Sequence, residues 1–295
     1  AWSSAASDVY KRQIIFFTAI IFLLSLIVPD TKLEIFDINI LQFILIYVWL
    51  VQIVGFIFAF IYQTERYYDF IGSLTYSSSA LIVYFSLPTK TQTDNVLLIV
   101  VLIWSLRLGL FLFRRILEDG HDTRFDKPKQ SFFHFLQYWT GQAMWVSFTC
   151  IAVYVAMISN EPNTLSPISL IGVFIWIAGF IIEVIADGQK RNFRKDLNNK
   201  GRYISTGLWS RSRHPNYFGE ITLWTGVSLI ALTSLNGIGY VALISPFFVY
   251  ALLSKGSGIP LLERSADKRW GDELDYEEYK KNTPVLFPKL FNNIK

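Results

Sequence analysis

The chain has 295 residues, of which 52% are hydrophobic, 17% aromatic and only 17% charged, with a formal net charge of +4. Soluble domains carry nearer a quarter charged residues, so this balance excludes a soluble enzyme held by one anchor, and no nucleic acid partner is expected. The single Cys150 rules out an intrachain disulfide, and three histidines (His121, His134, His214) without an HxxxH or HExxH spacing rule out His-rich di-iron chemistry, so no metal is expected.

Residues 1–13 are small and polar, too polar for a signal-peptide core, and are expected to be a leader outside the fold. Residues 14–295 are expected to form one membrane domain. Apolar stretches at 14–29, 40–62, 68–87, 95–113, 137–158, 165–186, 217–233 and 237–254 are long enough, or nearly so, to cross a bilayer. The predicted fold class is therefore all-α, a polytopic transmembrane bundle of seven or eight helices with cytosolic loops and tail as a cap. Lys and Arg precede the first stretch (Lys11, Arg12) and concentrate at 114–131, at 187–216 and beyond 255. The connections 159–164 and 234–236 have none, and 30–39 and 88–94 have one each. With eight spans these two groups alternate, so the positive-inside rule puts both termini in the cytoplasm.

The third stretch is the most polar. Asp69, Ser73 and Tyr76, spaced by four and three, share one helix face, and such a stripe either lines a cavity or bonds to a neighbouring helix. Further on, Gly120-His121-Asp122-Thr123-Arg124 reads from composition as a charged turn.

The densest constellation follows the sixth stretch. Glu183, Asp187, Arg191 and Arg194 are spaced by four, four and three, so one helix face leads from inside the membrane into a basic loop. Between Asp187 and Asn216 stand eight Lys or Arg (Lys190, Arg191, Arg194, Lys195, Lys200, Arg202, Arg211, Arg213) against two Asp. That excess points to an anionic ligand or to anionic lipid headgroups. Pro215 suits a first helical turn, so Arg213, His214, Asn216, Tyr217 and Glu220 surround a helix start, a favourable place for phosphate. Gly219 lets another helix or a flat ring approach closely.

Ala186-Asp187 with Arg191 and Arg194, Thr206-Gly207-Leu208-Trp209, Arg213 through Glu220, Trp224, Ser257 through Glu263 and Tyr276-Glu277-Glu278-Tyr279 ending in Thr283-Pro284 together resemble the steroid 5-alpha-reductase superfamily. The similarity is greatest to its bacterial DUF1295-type membrane proteins and covers roughly residues 65–290. It implies an NADPH-dependent oxidoreductase acting on CH–CH groups, in a bacterial inner membrane or its equivalent. It also implies a cofactor-binding part at about 183–290, with Asp187, Arg191, Arg194, Arg202, Asn216 and Glu220 around the cofactor. Glu183, Tyr203, Arg213, His214 and Tyr217 are further candidates from the same stretch, and Glu263 and Arg264 would close the nucleotide site from the tail. The 120–124 segment resembles the family's Gly-x-Asp-x-Arg loop over the cofactor, which adds Arg124. Asp69 falls near the family's substrate-pocket Glu. The family's Tyr partner falls near Trp104, which cannot act as an acid, and Tyr76 is the nearest replacement.

The reading is NADPH-dependent reduction of the conjugated C=C bond of a lipophilic enone, of the 3-oxo-4-ene steroid type, with Asp69 and Tyr76 as the catalytic pair. A lipophilic substrate and membrane lipids are the expected partners, and a monomer the expected state. The Arg-His-Pro helix start is also similar to isoprenylcysteine methyltransferases, so an S-adenosylmethionine-dependent membrane methyltransferase is the runner-up; its cofactor has no phosphate to occupy eight cations. A non-enzymatic lipid- or sterol-binding protein would leave Asp69, Glu183 and Glu220 without a role.

Overall fold

The structure is a computed structural model and describes residues 2–26, 33–159 and 165–289. Among the described residues ten α-helices carry the fold: α1 (Trp2–Leu24), α2 (Ile40–Ile61), α3 (Tyr68–Ser86), α4 (Gln92–Asp119), α5 (Phe132–Ile158), α6 (Pro167–Lys195), α7 (Pro215–Ala231), α8 (Ser245–Ala251), α9 (Ile259–Trp270) and α10 (Leu274–Asn282). The strands among the described residues are a two-residue hairpin, Glu34–Ile35 against Ile38–Asn39. Its turn places Phe36 and Asp37 at φ of 53° and 59°, the paired positive values of a tight hairpin. Asn39 then caps α2 by accepting from the Leu41 amide.

Helices occupy each predicted apolar stretch within the described residues. Among the described residues five segments are long and apolar enough to cross a membrane: α2, α4, α5, α6 and the run Gly237–Trp270. That run is a composite of a 3₁₀ segment (Gly237–Ile244), α8, a π turn (Leu252–Gly256) and α9. The polar residues Asp69, Ser73, Thr75 and Ser77–Ser79 dilute α3, and α7 has only 17 residues. The molecule is an all-α polytopic membrane protein. α1 begins at Trp2, so the polar residues 2–13 are helical and continuous with the apolar residues after them. Tyr10 stacks on His134 of α5 with ring centroids 4.1 Å apart.

The chain forms two compact units, Ala1–Ser169 with Ile230–Ser245, and Leu170–Leu229 with Pro246–Lys295. α5 is the core of the first unit, buried at every residue from Val146 to Ile158. Polar side chains stitch this unit internally: Gln52 donates to Thr75 (2.8 Å), Ser77 pairs with Ser105 (2.8 Å) and Ser79 with Tyr154 (2.7 Å). Such bonds satisfy groups that are costly to bury alone. Ser73 donates to the carbonyl oxygen of Ser105, so this member of the α3 stripe ties α3 to α4.

In the second unit α6 and α7 cross at backbone contact. A methyl group on Gly219 would lie 2.7 Å from both the Glu183 nitrogen and the Gly179 oxygen. One on Gly179 would lie 2.5 Å from the Leu223 nitrogen, and one on Gly226 2.6 Å from the Gly172 oxygen. Only glycine permits this approach.

Candidate functional site

α6 is unbroken from Pro167 to Lys195, so Glu183, Asp187, Arg191 and Arg194 do share a face. Glu183 and Asp187 are buried, at 3% and 8% exposure, beside the α7 crossing; Arg194 is exposed near the helix end.

The basic loop that follows is pinned at several points within the second unit. Gln189 accepts the Leu208 amide (2.9 Å), and Gly207, at φ 63°, has no room for a side chain against Gln189. Trp209 is buried, donates its indole N–H to the Ala186 carbonyl (3.1 Å) and carries Lys190 Nζ over its ring at 4.6 Å. Tyr279 Oη donates to the Trp209 carbonyl (2.7 Å). Tyr203 sits in an aromatic box with Trp270, Tyr276 and Tyr279, at centroid distances of 5.8, 5.0 and 5.3 Å. The segment after α10 returns to the same loop: the Arg213 amide donates to Pro284 (2.9 Å), Ser212 Oγ to Leu286 (2.8 Å) and the Lys289 amide to Arg211 (3.0 Å).

At the entrance to α7 one carboxylate joins two predicted residues. Glu263 accepts from Arg213 Nη1 through one oxygen and meets His214 Nε2 at 2.7 Å through the other. His214 is 5% exposed and stacks on Tyr217 at 5.7 Å. Burial lowers the His214 pKa, and the bond to Glu263 opposes this without cancelling it. The neutral ring therefore donates through Nε2, a tautomer assigned from this bond. Nδ1 is then a buried acceptor with no hydrogen-bond partner among the described residues, as the donor Arg213 Nε is too. A donor and an acceptor left open beside buried carboxylates and a cation-rich loop fit a polar, phosphate-bearing cofactor. Asn216 and Glu220 are partly buried on α7, whereas Arg202 and Arg264 are exposed.

The other predicted residues lie in the first unit. Asp69, in the first turn of α3, faces Arg115 Nη2 (3.4 Å) and Arg124 Nη2 (3.6 Å). Arg124 is gripped by Asp122 through Nε (2.9 Å) and Nη2 (2.6 Å). Burial pushes the Asp122 carboxyl up, but its bonds to Arg124 outweigh this and hold it below the usual range. Two turns along α3, Tyr76 is buried edge-on against Trp104 at 5.1 Å. Asp69 thus sits among cations and Tyr76 among apolar rings, and they are not direct partners. Sequence reasoning missed Arg115 and Glu65, and it named Asp122 only as a member of the 120–124 loop; Glu65 lies in the connection between α2 and α3, where no helix spacing marks it.

The family model described as "Protein of unknown function (DUF1295)" matches residues 55–283. Among curated proteins the chain is similar to 3-oxo-5-alpha-steroid 4-dehydrogenase 1 of Macaca fascicularis, 33% identical over 125 residues and 42% of each chain. The human protein of that name is 30% identical over 125 residues, 42% of this chain and 43% of its own. "Probable O-methyltransferase ustE" of Ustilaginoidea virens is 32% identical over 123 residues, 41% of each chain. The chain thus spans about two fifths of the length of these relatives. No solved structure matches it. With most of its length inside the family match, the chain belongs to the steroid 5-alpha-reductase-like DUF1295 family.

Proposed function

We propose that the protein reduces the conjugated C=C bond of a lipophilic enone, of the 3-oxo-4-ene steroid type, with NADPH as its cofactor. The observation that carries this reading is the cation-rich loop, fixed by Gln189, Trp209 and Ser212 beside two buried carboxylates. The names of the similar steroid dehydrogenases support the same chemistry.

In this reading Arg191, Arg194, Arg202 and Arg213 meet phosphate oxygens, which guanidinium forks suit, and Arg124 is assigned to the cofactor by the family resemblance alone. Glu183, Asp187, Tyr203, Asn216, Tyr217 and Glu220 bond the ribose and amide groups, and His214 offers Nδ1 as an acceptor. Glu263 keeps Arg213 and His214 in place, and Arg264 stands next to it. When bound, the nicotinamide supplies the hydride. Tyr76 is assigned as the donor to the substrate carbonyl, where it stabilises developing enolate charge, and Asp69, ion-paired with Arg115 and Arg124, to an orienting role. We further propose a monomer in a bacterial inner membrane or its equivalent, with both termini on the cytoplasmic side, the orientation that the distribution of Lys and Arg favours.

A thermal-shift titration of the purified protein with NADPH, NADH and S-adenosylmethionine tests this. Affinity for NADPH should exceed that for NADH by about tenfold, the contribution of one 2′-phosphate on arginine. A shift with S-adenosylmethionine alone would instead favour methyl transfer, the reading that the similarity to the U. virens protein supports. No shift with any of the three would leave a lipid-binding protein.

A further inference from the structure

Glu65 lies in the turn between α2 and α3 with its side chain 4% exposed, and nothing proposed above uses it. A carboxylate that deep needs partners. It has one on each oxygen: the Asp122 amide donates to Oε1 (3.1 Å) and Lys129 Nζ to Oε2 (2.9 Å). Burial pushes the Glu65 carboxyl up, but these bonds outweigh it and hold the group below the usual range. Its two partners stand at the ends of segment 122–129. The middle of that segment is anchored by Phe125, 2% exposed, which packs on Tyr68, Tyr138 and Phe135 at 4.9, 5.2 and 6.0 Å. Phe125 fixes the segment's depth, but its ring contacts are non-directional and do not orient the backbone. Orientation comes from the polar side: Asp122 grips Arg124 at both Nε and Nη2.

We propose that Glu65 is a positioning residue that clamps both ends of segment 122–129 and, through Asp122, sets where the Arg124 guanidinium stands. Its effect on nucleotide affinity rests on the reading above, in which Arg124 meets the cofactor. Asp69 cannot replace the clamp, because it touches only the arginine side chains and not the backbone that carries Arg124.

The test uses the full chain with Glu65→Gln, Lys129→Met, their combination and Arg124→Ala. Two quantities are measured: amide hydrogen exchange over residues 120–131 without nucleotide, and the NADPH dissociation constant by tryptophan fluorescence. Glu65→Gln keeps the shape but removes the charge opposite Lys129. It should raise exchange at 122–126 by about tenfold, leave α5 unchanged and weaken NADPH by about tenfold. Turnover at saturating nucleotide should stay at the parental rate, which a general loss of folding would not allow. Lys129→Met should act in the same direction more weakly, and the double variant should recover part of the loss because no charge is left buried alone. If Glu65→Gln does not fold, Lys129→Met carries the test. Parental exchange in the folded variants overturns the proposal. So does unchanged NADPH affinity in them when Arg124→Ala has lost it. Raised exchange in a protein whose parent binds no NADPH supports the clamp and sinks the cofactor reading instead.

Discussion

Gly219→Leu is expected to abolish folding, and Gly219→Ala to destabilise the protein by about 3 kcal/mol, the upper range for overpacking a tight interior. The added methyl would stand 2.7 Å from two backbone atoms of α6, and backbone cannot swing aside as a side chain can. Relief requires the helices to separate, which moves Asn216 and Glu220 on α7 away from Glu183 and Asp187 on α6. Loss of stability and loss of nucleotide affinity should therefore appear together. Gly188, on α6, has nothing within 4 Å of the corresponding position, so Gly188→Ala should be neutral or stabilise by about 0.5–1 kcal/mol through helix propensity. Thermal unfolding in detergent distinguishes the two sites. A Gly219→Ala protein that melts at the parental temperature would show that the crossing is not a backbone contact.

Glu263→Gln should cost about 2 kcal/mol and nearly all nucleotide binding, because it leaves Arg213 largely buried without its counter-charge. The estimate sits below that for a fully buried pair because the Glu263 side chain is 21% exposed. The pH dependence follows from His214. Its folded pKa is lowered by burial, so the unfolded chain binds the proton more readily than the folded site does. The stability contributed by the neutral ring is present at neutral pH and is lost as pH falls below about 6.5, the unfolded value. Glu263→Gln removes the carboxylate that opposes the depression, so the acid-side loss should become steeper. Unfolding curves between about pH 5 and 7.5 read this directly, since the window spans the ordinary histidine pKa. A parental stability that is flat across the window would sink the assignment of a neutral His214.

The span pattern was legible because apolar runs of membrane length are a composition signal that needs no partner. The face shared by Glu183, Asp187, Arg191 and Arg194 was legible for a similar reason: helix spacing is local, and α6 is unbroken. What escaped depends on contacts between distant parts of the chain. Glu263 reads in sequence as a residue that closes the nucleotide site, whereas its oxygens are engaged by Arg213 and His214, about fifty residues earlier. Glu65 lies 64 residues before its partner Lys129, and no periodicity links them. The α3 stripe shows the limit of helix-face reasoning. Asp69, Ser73 and Tyr76 are correctly placed along one helix, yet they meet arginines, a neighbouring helix backbone and an indole ring. Spacing fixes which way side chains point and leaves open what stands opposite.

The bonds from Ser212 to Leu286 and from Arg213 to Pro284 also bear on the order in which the protein is made. Ser212 and its acceptor are separated by 74 residues, so α6 and α7 leave the ribosome well before the segment that secures the loop between them. At some 5–20 residues per second this leaves a delay of several seconds. During that interval α6 and α7 can already cross through their glycines, while Arg211–Arg213 lacks the backbone partners that fix it. A nascent chain is thus built as a paired helix frame first, and the loop that the proposed function gives to the cofactor is fixed only once residues 284–289 fold back.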